Sequence, residues 1–332
     1  MTALLVVACG PGTSLQDGGR FGLQRFGVSP AGAMDPLALA MANLLVGNAA
    51  DVAALEFGML GGEFVVEGGP VHVAAAGAAL AVDGTAVPAL TSVVAGEGAR
   101  VRLGPARDGV YAYLAVEGGF DVAPAMGSLS LHRRSAIGPK APSAGERLAL
   151  RPMAGGGANV LPGLPLGEEG PIRVILGPQR DRFTDAAVET FLSEPYAVSP
   201  RSDRMGTRLS GPPLTHSAGY NIVSDGIVTG HVQVPGDGQP IVLMRDRQTT
   251  GGYPKLAGIV TADLPRFAQL RPGAVVRFRA VDRDEALAAL RAQRDAFAAL
   301  AGQVRPVTAG LDTERLLSVN LISGVTADTG SP

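Results

Sequence analysis

Short apolar runs recur along the whole chain: Phe64-Val65-Val66, Val71-His72-Val73-Ala74, Val101-Arg102-Leu103, Tyr111 to Val116, Leu148-Ala149-Leu150, Ile172 to Leu176, Ile241 to Met244 and Val275 to Phe278. Gly, Pro or Asp bounds nearly all of them. Runs of this length, some alternating with period two, predict β-strands, and so many short strands predict barrels or sandwiches. The opening Met1 to Ala8 joins the set: it lacks a basic start and Gly10-Pro11-Gly12 follows at once, so it reads as a first strand and not as a leader peptide.

Helices are few. In "MDPLALAMANLLVGN" Asp35 can cap, Pro36 fits the first helical position, and Leu37, Ala40, Met41, Leu44 and Leu45 share one face before Gly47. A second helix is expected from Thr184, with Val188, Phe191 and Leu192 on its apolar face, ending before Pro195. A third, from about Asp282 to Ala301, is rich in Ala, Leu and Arg and reads as an amphipathic surface helix. Residues 151 to 171, "RPMAGGGANVLPGLPLGEEGP", carry turn signals without periodicity and read as a linker.

A length of 332 residues suggests two domains. With this linker the expected division is residues 1–155, residues 170–305 with a terminal helix, and a tail 306–332, partly disordered. The 46 glycines and 25 prolines favour turns between short strands over a helical bundle. A formal net charge of −2 supplies no basic field for nucleic acid, and no window is long and apolar enough for a membrane span. One cysteine, Cys9, rules out an intramolecular disulfide framework and a CxxC metal knuckle, so no metal site is expected and a cytoplasmic location is the default.

The densest polar chemistry is "RDRQTTGGYPK", residues 245 to 255, directly after Ile241 to Met244. It closes on one of only two lysines in the chain, Lys140 and Lys255. If the apolar run is a buried strand, the polar segment is its exit at a barrel rim, where side chains can converge on a ligand. Arg247 can offer a two-pronged fork to a carboxylate, Gln248 a donor and an acceptor to an amide, and Lys255 a compact positive charge. Thr249, Thr250, Gly251, Gly252 and Tyr253 complete the segment, the glycine pair leaving room for close backbone approach. A rim ion-pair cluster of Arg245, Asp246 and Arg247 is the competing, purely structural account. Asp203 and Arg204 in "SDRM" are either a turn cap or ligand-orienting groups, and Arg25 and Asp35 flank the first helix. His72 reads as a packed core residue, His132 and His216 as loop residues, and His231 lies near the candidate rim. HExxH, GxSxG and P-loop patterns are absent from the sequence, which disfavours a self-contained hydrolase, protease or NTPase.

Three segments carry a family resemblance: "QDGGRFGLQRFGVSPAGAMDPLALAMANLLVGN", "VSPRSDRMGTRLSGP" and "GHVQVPGDGQPIVLMRDRQTTGGYPKLAGIVTADLPRFAQLRPG". They resemble the allophanate hydrolase subunit 2, or biotin-dependent carboxyltransferase, family over about residues 10 to 280. The resemblance implies a mainly β chain of two cyclophilin-like β-barrel domains with a few short helices. It implies a role as one component of a larger system: the C component of the ATP-dependent 5-oxoprolinase, the carboxyltransferase region of urea carboxylase, or a regulator that antagonises a kinase inhibitor. The implied companions are an allophanate hydrolase subunit 1-like barrel protein and a lactam-utilisation protein, with a small amide or carboxylate as ligand. No cofactor is expected on this chain alone; ATP would act through partner proteins, or carboxy-biotin would serve in the carboxylase alternative. The resemblance and the rim chemistry together give Arg247, Gln248, Lys255, Asp203 and Arg204 as candidate catalytic residues, with Thr249, Thr250, Gly251, Gly252, Tyr253, Arg25 and Asp35 as candidate substrate-binding residues. The chain departs from the family pattern at Gly127-Ser128-Leu129-Ser130-Leu131, where an expected arginine is Leu129.

Overall fold

The computed structural model describes residues 1–107, 109–161 and 170–307. The expectations for the tail beyond residue 307 and for residues 162–169 of the linker lie outside the described residues.

The apolar runs form strands, as their period predicts. In the first half a six-stranded sheet runs in the order Arg147–Ala149, Ala3–Cys9, Gly62–Glu67, Arg100–Ala106, Ala78–Val82, Thr85–Val87. A five-stranded sheet follows the order Ser14–Gln16, Ala54–Gly58, Tyr111–Val116, Val71–Ala76, Ser92–Ala95, and every pairing in both is antiparallel. The run Tyr111 to Val116 is apolar at every position because both of its faces are covered. Ala112, Leu114 and Val116 pack with Leu4, Val6 and Phe64 of the other sheet. Tyr113 and Ala115 pack instead under the first helix, α1 (Pro36–Leu45), with Leu39, Ala42 and Leu45. The Asp35 side chain caps α1 by accepting from Leu37 N and Ala38 N, and Pro36 sits in the first turn.

The second half is an eight-stranded sheet in the order Val275–Val276, Tyr196–Val198, Gly206–Ser210, Ile241–Leu243, His231–Gln233, Lys255–Ile259, Ile172–Leu176, Phe278–Ala280. Its two edge strands are consecutive in sequence, separated only by Arg277, so the sheet curls into a nearly closed barrel. Closure hides all but a short length of edge backbone. Inside lie Val174, Val232, Val242 and Leu256, plugged by Phe191 of α2 (Asp185–Ser193) stacked on Phe278 at 4.5 Å between ring centroids. The expectation of a mainly β chain with few helices is met.

Two elements tie the halves together. Met34, in the turn before α1, is buried in the second half's core. A short helix, α3 (Leu264–Ala268), precedes the last barrel strands, and the long helix α4 (Arg283–Ala301) reaches back so that Leu300 joins the cluster under α1. The linker reading of residues 151 to 171 needs correction in its described part. Asn159–Val160 forms a short strand with Arg305–Pro306, Leu161 is buried, and Gly155 N and Gly156 N donate to Glu117 Oε1. The turn-rich composition hid this because backbone groups, which sequence does not vary, make most of these bonds.

Candidate functional site

The strand Ile241–Leu243 is buried, and "RDRQTTGGYPK" leaves it at the seam between the two halves. Asp246 and Arg247 turn inward and are buried; Gln248 is exposed. Thr250–Gly251 forms a two-residue strand with Asp225–Gly226, and Lys255 opens the next barrel strand with its side chain fully buried. Asp246 is part of a structural cluster, but its partner is Arg204 and not Arg245 or Arg247 as the rim ion-pair account expects, and Arg247 and Lys255 are directed elsewhere.

The Asp246 cluster is built around Arg204. Its Nε and Nη2 meet Asp246 Oδ2 and Oδ1 at 3.0 and 2.9 Å, Nη1 pairs with Glu56, and Nη2 also reaches Gly32 O at 2.7 Å. Glu56 is fully buried and its other oxygen accepts from Met34 N at 2.8 Å and the Tyr113 hydroxyl at 2.7 Å. Burial alone would lower the Arg204 pKa, but Glu56 and Asp246 outweigh it and hold the guanidinium charged. The Tyr113 pKa is raised as well, by burial first and then by Glu56, which holds its phenol neutral. Arg204 thus spends its donors joining the two halves. Asp203 does not join it: Oδ1 accepts from Met205 N at 2.8 Å and Gly206 N at 3.1 Å, an Asx turn that shapes the loop. Asp35 sits beside the same network, its backbone N donating to Tyr113 Oη and its Oδ2 accepting from Gln269 Nε2, both at 2.8 Å.

Arg247 and Lys255 belong to a second, less saturated group. Arg247 is 3% exposed; Nε donates to Ile227 O at 3.3 Å and Nη2 to Gln24 Oε1 at 3.1 Å, while buried Nη1 has no hydrogen-bond partner among the described residues. Burial and the neighbouring Arg245 lower its pKa to about 10. Lys255 Nζ pairs with Asp225 Oδ2 at 2.8 Å, and Gln179 braces both, accepting from Lys255 N and donating to Asp225. His231 lies in the field of both cations. Burial first, then Lys255 and Arg247, bring its pKa down to about 4, so the ring is neutral near pH 7. Val228 N donates to His231 Nδ1 at 3.2 Å, which leaves the proton on Nε2.

Of the other candidates, Thr249 contributes its carbonyl, accepting from Gln24 Nε2 at 3.3 Å and Ile227 N at 3.1 Å. A Cβ on Gly251 would lie 2.4 Å from Gln233 Nε2, so the room the glycine leaves is taken by that amide. Gly252 is half-buried, and Tyr253 is 40% exposed at the rim. Arg25 is exposed and stacks over Phe26 at 4.7 Å from the ring centroid, away from the Arg247 group's hydrogen bonds. The altered segment at 127 to 131 is an internal brace: Ser128 Oγ at 2.7 Å, Leu129 N at 2.6 Å and Ser130 Oγ all donate to Asp17.

Sequence reasoning missed Glu56, Tyr113, Gln24 and Asp225. Glu56 had a signal, a lone acid inside Ala53-Ala54-Leu55-Glu56-Phe57, since a carboxylate in a buried strand needs a partner. Asp225 and Gln24 had none, because their partners lie 30 and 223 residues away. The described residues contain no cluster of His, Cys, Asp or Glu able to hold a metal ion, and no helix long and apolar enough to cross a membrane.

Comparison with known proteins places this architecture. Residues 26–280 match the model for the carboxyltransferase domain, subdomain A and B. The chain is 38% identical over 303 residues to the C component of 5-oxoprolinase from Escherichia coli, covering 90% of this chain and 97% of that protein. It is 37% identical to the protein of the same name from Haemophilus influenzae, covering 86% and 93%. The crystal structure of Kluyveromyces lactis urea carboxylase superposes with a TM-score of 0.81 at 25% identity, over 90% of this chain but only 29% of that much longer one. The arrangement of two β units joined through the Glu56–Arg204–Asp246 seam thus sits on a fold shared with proteins of known class, and the chain belongs to the carboxyltransferase domain family, subdomain A and B.

Proposed function

We propose that this chain is the C component of an ATP-dependent 5-oxoprolinase, which opens the lactam ring of 5-oxoproline to give glutamate. The observation that carries the reading is the likeness to the 5-oxoprolinase C components along nearly the whole length of both chains. The geometry agrees with it. A five-membered lactam bearing a carboxylate needs a cation for the carboxylate and neutral hydrogen-bond groups for the amide. Arg247 Nη1 supplies the first, and the Nε2–H of neutral His231 with the exposed amide of Gln248 supplies the second. Ring opening adds water across the amide C–N bond, leaving a new carboxylate and an amine, and the ATP that drives it is handled by partners: a shorter, allophanate hydrolase subunit 1-like barrel protein and a lactam-utilisation protein. A cytoplasmic location fits an ATP-consuming complex.

A second reading draws on the superposition on urea carboxylase. In that case the unpartnered Arg247 Nη1 would bind the carboxylate of carboxy-biotin, which supplies an activated carboxyl group when bound. The test is to purify the chain with and without the two partners and measure glutamate formed from 5-oxoproline and ATP. Glutamate only in the full complex supports the first reading. Its absence, with biotin-dependent carboxylation of urea in a complex containing a biotin carboxylase, transfers the assignment to the second.

A further inference from the structure

Arg247 is fixed from two sides of the seam. Ile227 O, in the second half, accepts from its Nε; Gln24 Oε1, in the first half, accepts from its Nη2. Ser29 Oγ, also in the first half, donates to the Arg247 carbonyl. The same Gln24 amide donates through Nε2 to Ile227 O at 2.8 Å and Thr249 O at 3.3 Å. One side chain thereby grips the guanidinium and both stretches of backbone that flank it.

Only an amide can do this. Glutamine carries an acceptor for the arginine and two donors for the carbonyls, whereas a carboxylate has no donor and would neutralise the arginine. The turn that presents it is shaped for the purpose: Gln24–Phe26 is a single 3-10 turn between Gly22 and Gly27, both in the left-handed region at φ 84° and 81°. A buried guanidinium nitrogen without a partner is costly, on the order of 1–3 kcal/mol, a cost that a ligand oxygen at Arg247 Nη1 would remove.

We infer that Gln24 is a positioning and specificity-determining residue, holding Arg247 so that its free Nη1 receives the carboxylate of a small cyclic amide. The inference rests on the 5-oxoproline reading above and adds a residue to it. Gln24 itself acts through Arg247.

The test uses calorimetric titration of the chain in complex with its barrel partner against 5-oxoproline and against pyrrolidinone, the same ring without the carboxylate. The wild-type complex should prefer 5-oxoproline by about tenfold or more, the scale of one charge-assisted bond. Gln24→Glu should collapse that preference to near unity, because the arginine is neutralised where it sits. Gln24→Ala should weaken 5-oxoproline several-fold and leave pyrrolidinone unchanged. Both variants should melt within a few degrees of the wild type, since the glutamine is only half-buried. A wild type that binds both rings equally, a Gln24→Glu variant that keeps the wild-type ratio, or variants that weaken both rings alike would overturn the inference. Glutamate formation by the wild-type complex is read separately, so an intact turnover with an unchanged ratio removes Gln24 alone and leaves the functional reading standing.

Discussion

Arg204 and Asp246 face each other through two parallel bonds, Nε to Oδ2 at 3.0 Å and Nη2 to Oδ1 at 2.9 Å, while the third corner of the same guanidinium pairs with Glu56 from the other half of the chain. Removing the arginine leaves two buried carboxylates without a counter-charge. Arg204→Ala should cost about 3–5 kcal/mol in urea unfolding, and Glu56→Gln in the same chain should recover part of it. An Arg204→Ala chain of wild-type stability would show that the cluster does not hold the seam.

Lys255 is completely buried, yet its partner Asp225 is 53% exposed. Lys255→Met keeps most of the stem's packing and leaves Asp225 free to rehydrate, so the stability loss should be about 1 kcal/mol. Its electrostatic effect should be larger and specific. The His231 pKa, held down in part by Lys255, should rise towards the ordinary value in an NMR titration of the variant.

His231 also sets a pH dependence. Its folded pKa of about 4 lies below the ordinary value of 6.5, so the unfolded chain takes up the proton first as pH falls. Stability contributed by the neutral ring is full above about pH 6.5 and is lost progressively down to about pH 4, by on the order of 1–2 kcal/mol for a partly solvated ring. His231→Asn should flatten that part of the stability-against-pH curve. An unchanged slope would assign it to the carboxylates.

Ser92, His72 and Glu117 form a buried relay, His72 Nε2 to Ser92 Oγ and Nδ1 to Glu117 Oε2, each at 2.8 Å. The relay fastens the segment above it, because Ser92 Oγ accepts from Asn159 N and Glu117 Oε1 from Gly155 N and Gly156 N. Glu117→Gln keeps the shape and weakens the three hydrogen bonds made by its two carboxylate oxygens. Hydrogen exchange at Gly155, Gly156 and Asn159 should accelerate by about tenfold or more, roughly 1.4 kcal/mol, while Val232 in the second barrel is unaffected. Equal acceleration at both places would indicate global unfolding instead.

The strands, the three longer helices and the concentration of polar groups at residues 245 to 255 were legible because each depends on residues close in sequence. Period-two runs bounded by turns became strands, and Asp35-Pro36, Thr184 and Asp282 became helix starts; Asp35 caps as expected, and the structure shows Thr184 and Asp282 capping too. The inward turn of Arg204 was not legible. "SDRM" gives an arginine in a loop, and whether that arginine meets a ligand or a carboxylate depends on Glu56, 148 residues away.

What the sequence determined alone was therefore local: element type, cap chemistry, and the concentration of hydrogen-bonding groups at residues 245 to 255. The tertiary structure divided those groups, giving Asp246 and Arg204 to the seam and leaving Arg247 and Lys255 facing His231, Gln24 and Asp225. The physical reason is that a charged side chain's role is fixed by which opposite charges and donors reach it after desolvation, and those neighbours, distant in sequence, are assembled only when the chain folds.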